Sequence, residues 1–100
     1  MGNYSVVFTT QTNLDITSLR NYILEECLSP LTAKQYIEAL FVRIKWLEHN
    51  ADVFAVVPEL SVQMGFDIRR LNFGNMAILF SIEDNCVYVH RIISQNMVIY

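Results

Sequence analysis

Glycine occurs only three times in 100 residues, at Gly2, Gly65 and Gly74, and proline only twice, at Pro30 and Pro58. So few glycines build no loop that wraps backbone amides around a phosphate, which excludes the common nucleotide-binding motifs. Basic residues are also scarce: seven Lys and Arg stand against ten Asp and Glu, for a formal charge of −3. Nucleic-acid binders draw most of their non-specific affinity from basic side chains displacing counterions, so this balance disfavours direct nucleic-acid binding. The two cysteines, Cys27 and Cys86, have no metal-ligand spacing and are expected to be buried free thiols of a reducing compartment. Neither His49 nor His90 has a cysteine or carboxylate at ligand spacing, which leaves no metal site and no cofactor to propose. No serine or cysteine lies in a nucleophile motif, which argues against a conventional hydrolase. Apolar runs such as Ala39–Val42 and Ala77–Phe80 fall far short of the roughly 18 residues that cross a bilayer. The polar N-terminus lacks a secretory core, so a cytoplasmic protein without membrane contact is expected.

What the chain does have is apolar residues, 53% of the total. That is enough for one core, and residues 1–100 are expected to form a single domain. Tyr4, Val6 and Phe8 alternate as in a half-buried strand over residues 4–9. Thr12 followed by Asp15 resembles a cap for a first helix over about 13–27, with Ile16, Leu19, Ile23 and Cys27 on one face. After the Ser29-Pro30 break, Thr32 through Gln35 has the form of a capping box for a second helix, about 33–48. Tyr36, Ile37, Leu40, Phe41, Ile44 and Leu47 recur at three- and four-residue spacing and mark its core face. Residues 12–48 are therefore expected to form an antiparallel helical hairpin that covers a sheet.

The last third carries three β-rich stretches, 66–72, 75–82 and 86–93, separated by Gly74-Asn75 and Glu83-Asp84-Asn85. Turn residues at those breaks predict an antiparallel meander. The fold class is thus α+β: N-terminal strand, helical hairpin, three-stranded meander. Residues 51–64 are unusually apolar for a connection; they either cover one edge of the core or expose a patch to a partner.

Four basic or titratable residues on the meander are candidate functional groups: Arg69, Arg70, His90 and Arg91. Adjacent strand residues face opposite ways, so Arg69 and Arg70 cannot share a surface. Arg91 has the parity of Val87 and Val89, and a guanidinium on an apolar strand face calls for a carboxylate or carbonyl partner. A ligand-facing role is the alternative.

Taken together, Tyr4–Thr9, Leu14-Asp15 with Tyr22-Ile23, Ala33 and Tyr36–Leu47, Ile68–Leu71, Gly74-Asn75, Ile78–Phe80 and Val89–Ile93 resemble the RelE/ParE superfamily of bacterial toxins. These belong to type II toxin–antitoxin modules and include plasmid stabilisation proteins. The resemblance spans nearly the whole chain and implies a small toxin held inactive by a cognate antitoxin whose C-terminal segment wraps it. RelE-like members are ribosome-dependent mRNA nucleases with basic residues after the meander glycine, as in Gly-Tyr-Arg, and near the C-terminus, as in His-Gly-Arg-Arg-Asp. Here those stretches are Gly74-Asn75-Met76 and Ser94-Gln95-Asn96-Met97-Val98. A methionine neither neutralises a phosphate nor donates a proton, so Met76 and Met97 disfavour RNA cleavage and an enzymatic role. The ParE-like branch, which by resemblance poisons DNA gyrase through protein contact, fits better. The alternatives are a RelE-like nuclease using another residue set and a decayed member that only binds its antitoxin.

Overall fold

The computed structural model describes residues 3–98. Strand β1 (Ser5–Phe8) leads into helix α1 (Thr10–Cys27), whose N-cap is Thr9: its hydroxyl accepts the Thr12 amide. The cap thus lies three residues before the expected Thr12, because Thr12 turns inward instead. The helix ends at Leu28, which takes up a left-handed conformation at φ 50° while 84% exposed. Ser29 then caps helix α2 (Pro30–Lys45) by accepting the Thr32 amide, with Pro30 in the first turn. Proline there loses no helical hydrogen bond, since that amide has no acceptor in any case. The expected capping box at Thr32 is therefore already inside the helix.

Ile37, Leu40, Ile44 and Leu47 of the second apolar stripe are buried, and Leu47 sits in a short helix α3 (Leu47–Asn50) that follows a break at Trp46. Phe41 departs from the expectation: it is 36% exposed and stacks on Phe8 at a ring distance of 5.8 Å. The apolar stripe is wider than the surface it covers, so its margin faces outward.

Residues 51–64 are not a plain connection. A 3-10 turn (Ala51–Val53) is followed by helix α4 (Pro58–Met64), begun by Pro58 and ended by Gly65 at φ 85°, a conformation glycine adopts without a Cβ clash. Leu60 of α4 is buried with Ile68, Ala77 and Leu79 in a second, smaller core.

The meander comprises β2 (Arg69–Phe73), β3 (Met76–Glu83) and β4 (Cys86–Ser94), joined at Gly74-Asn75 and Asp84-Asn85. The strand order is β1-β4-β3-β2, with β1 parallel to β4 and the other pairs antiparallel, so the sheet is mixed. Its main core joins Leu40, Ile44 and Leu47 to Phe80, Val87 and Val89, on the face covered by the α1–α2 hairpin. Cys27 is exposed and Cys86 half-buried, both as free thiols, so neither is the buried cysteine expected from compartment arguments.

Candidate functional site

The β1–β4 pairing stops at Phe8 opposite Val89, yet β4 runs on to Ser94. Beyond that point the N-terminal half of α1 supplies the missing partners. The Thr9 amide and the Thr12 hydroxyl both donate to the Val89 carbonyl, at 3.2 and 2.5 Å. One turn later the Asp15 carboxylate accepts the Ile92 amide at 2.9 Å. An unpaired amide in this position would cost about 1–3 kcal/mol, so α1 is fixed to the strand by necessity rather than by apolar contact alone.

Asp15 is nearly buried, at 9% exposure, and fully engaged. Arg91 Nε donates to it at 2.8 Å and Arg91 Nη2 at 3.2 Å, and Gln11 adds a bond at 3.0 Å. Burial pushes the carboxyl upward, but the bonds from Arg91, Ile92 and Gln11 outweigh it and hold the group below its usual range. The residue that resembled a helix cap is thus the anchor of a long-range ion pair.

A bulge in β4 takes Arg91 off the row of Val87 and Val89, and it meets Asp15 at the strand edge where α1 also holds the Ile92 amide. The register shifts between Leu79 and Phe80, pairing Leu79 with Arg91 and Phe80 with Val89, so His90 is the extra residue. A bulge breaks strict alternation. Ile92, not Arg91, joins Val87 and Val89 in the main core. The parity argument therefore placed Arg91 on the wrong row while correctly demanding a carboxylate for it.

Between α1 and the ends of β3 and β4 lies a groove of about 800 Å³. Leu19 and Tyr22 of α1 form one wall; Met76, Arg91 and the 3-10 turn Gln95–Met97 form the other. Gln95 organises its far end. Its amide nitrogen donates to the Gly74 carbonyl at 2.7 Å, its backbone amide to the Asn75 carbonyl at 2.8 Å, and its side-chain oxygen accepts from Arg70 at 3.3 Å. Arg70 also donates to Asn72 at 2.7 Å.

The four sequence candidates do not converge. Arg91 lines the groove and Arg70 borders it through Gln95. Arg69 donates to the Phe54 carbonyl, tying the segment before α4 to the start of β2. His90 bonds the buried Ser81 hydroxyl at 2.8 Å and lies against the Phe66 ring at 4.6 Å, on the face away from the hairpin. Burial depresses its pKa while Glu83 pushes the other way, and the net shift is downward. Met76 and Met97 both line the groove, with Met97 68% exposed. Sequence reasoning missed Asp15 and Gln95 as members of this region. Asp15 carried one available signal, a charged residue beside the apolar stripe of α1; Gln95 carried none.

Chemically, the groove holds one arginine, already paired, among amides, hydroxyls, methionines and a tyrosine, with no histidine or free carboxylate among its described lining residues. Such a lining presents apolar and hydrogen-bonding surface. A family model described as the ParE toxin of the type II toxin–antitoxin system parDE matches residues 6–99, from β1 to beyond the last turn. The chain belongs to the ParE toxin family. A solved structure titled "Chromosomal ParDE TA system from P. aeruginosa" is similar to it, with a TM-score of 0.74 at 16% identity, over 92% of this chain and 96% of that one. At that identity the likeness concerns the fold, and it agrees with the strand, hairpin and sheet described above. No curated protein matches the chain. Within the RelE/ParE superfamily the match thus falls on the ParE side, and among the described residues no helix is long and apolar enough to cross a membrane.

Proposed function

We propose that this ParE-family toxin acts by contact with a protein target, DNA gyrase, and is neutralised by an antitoxin, without cleaving RNA. One observation carries the reading: Arg91, the one arginine among the described lining residues of the groove, is committed to Asp15, and by the resemblance Met76 and Met97 fall where RelE-like nucleases carry basic residues. A phosphoryl-transfer transition state left without such donors is slowed by about a hundred- to a thousandfold for each one lost. Met, Tyr and Leu side chains instead suit a protein surface, where methionine and aromatic residues are enriched. The antitoxin has natural docking edges. β2 lies at the border of the sheet, where an extended segment can add as a further strand.

The test is a supercoiling assay with purified gyrase and relaxed plasmid. The chain should inhibit supercoiling, addition of the protein encoded beside it should relieve the inhibition, and Tyr22→Ala or Met97→Ala should weaken it. Undiminished supercoiling at saturating toxin would refute the target.

A further inference from the structure

The hairpin covers one face of the sheet, and α4 covers only half of the other. Leu60, Ile68, Ala77 and Leu79 pack together over β2 and β3. Strand register sets the rest of that face in rows: Ser5 beside Cys86 and Glu83, then Val7 beside Tyr88 and Ser81. Side chains of paired residues in neighbouring strands point the same way. His90 follows Tyr88 with a ring distance of 6.4 Å, and Phe66 closes the series 4.6 Å from His90. This is an aromatic strip on an open surface: Val7 is 38% exposed and Phe66 41%.

Around the Tyr88 end of the strip the charge is acidic, while Arg70 and Arg91, which both pair with Leu79 on this face, are bonded to Asn72, Gln95 and Asp15. Glu83 and Asp84 sit in the β3–β4 turn, and Asp67 follows Phe66; all three are exposed. Their reach shows in the neighbouring groups: the Tyr88 phenol is pushed up by the Cys86 thiol and further by Glu83 and Asp84, and Glu83 also acts on His90. Both lysines, Lys34 and Lys45, lie on α2, across the sheet from this face.

We propose that the open sheet face centred on Tyr88 is a docking surface for an arginine-bearing segment of a protein partner, separate from the groove. Arginine matches both features at once. Its planar guanidinium stacks on exposed aromatic rings while keeping its charge available to Glu83 and Asp84. An aromatic sheet face is also a platform for single-stranded nucleic acid, but that use requires a basic surround to hold the backbone. Here the Tyr88 end is bordered by Glu83 and Asp84, and the two arginines of the face, Arg70 and Arg91, already have side-chain partners.

The experiment is a nuclear magnetic resonance titration of the isotope-labelled full chain with three probes: the peptide acetyl-Gly-Arg-Leu-Arg-Gly-amide, its glutamate counterpart, and a short oligothymidylate. The arginine peptide should shift the amides of Val7, Phe66, Tyr88 and His90 and leave Tyr22 and Met97 unmoved. Tyr88→Ala should weaken it roughly threefold to thirtyfold, the range of an exposed to partly desolvated cation–aromatic contact. Glu83→Gln with Asp84→Asn leaves the rings in place and should weaken it about threefold to tenfold at low salt, with the difference fading as salt is added. Asparagine tolerates the positive φ of Asp84, so that variant should fold. Shifts confined to the groove, equal binding of the glutamate peptide, or preferential binding of the oligonucleotide would each overturn the proposal.

Discussion

Removing the Asp15 carboxylate should loosen α1 from the sheet. In Asp15→Ala the Ile92 amide, which belongs to a residue only 2% exposed, loses its acceptor. That orphaned donor costs about 1–3 kcal/mol. The Arg91 pair adds less, because the arginine side chain is 38% exposed and solvent screens it, so its share is at most about 1 kcal/mol. Asp15→Ala should therefore destabilise the protein by about 1–4 kcal/mol in urea denaturation. Asp15→Asn keeps an oxygen for the Ile92 amide and should lose only about 1 kcal/mol. The two variants also separate charge from geometry by pH. Arg91, Ile92 and Gln11 hold the carboxyl below its usual range against the opposing effect of burial. A carboxyl depressed in the folded state stabilises above its unfolded pKa and loses that contribution as pH falls through the folded one. The stability gap between wild type and Asp15→Asn should thus stay constant from neutral pH to about pH 4 and close below it. Faster hydrogen exchange at the Ile92 amide in Asp15→Ala is the local signature. A loss under about 0.5 kcal/mol with unchanged exchange at Ile92 would refute the view that this carboxylate replaces the missing strand partner.

Leu40, at 0% exposure, and Phe41, at 36%, are neighbours in sequence with different surroundings. Leu40→Ala should cost about 2–5 kcal/mol and Phe41→Ala only about 1 kcal/mol in the same denaturation assay; equal costs would mean that the margin of α2 is buried after all. Leu28 holds a left-handed conformation with its side chain in solvent, so Leu28→Gly should raise stability by about 0.5–1 kcal/mol, read as a higher melting temperature. A lower one would show that Leu28 has a contact worth more than its strain.

The strands were legible because β3 and β4 are bounded by residues that turn, Gly74-Asn75 and Asp84-Asn85, and rich in residues that pack on a sheet. The interior of α2 was legible because Ile37, Leu40, Ile44 and Leu47 repeat at helical spacing. What escaped depends on partners remote in sequence. Nothing in Ser5–Phe8 says that it will lie parallel to β4, and nothing in His90-Arg91 says that a bulge will take Arg91 off the core row or that its partner will be a carboxylate 76 residues earlier. The helix α4 was obscured by Val53, Phe54, Val56 and Val57, whose apolar run hides its period, although Pro58 and Gly65 marked its ends. For the site, the missing cations at Met76 and Met97 could be seen in the sequence, but the commitment of Arg91 to Asp15 could not.

The proposed role of this groove is to engage a protein, not to cut RNA. Its most direct test is primer extension along a defined mRNA in a translating extract dosed with the purified chain, using the same preparation that is scored for gyrase inhibition. Full-length mRNA is expected at every toxin concentration that blocks supercoiling. Codon-specific cleavage at concentrations that leave gyrase untouched would contradict it and return Arg69, Arg70, His90 and Arg91 to consideration as catalytic groups.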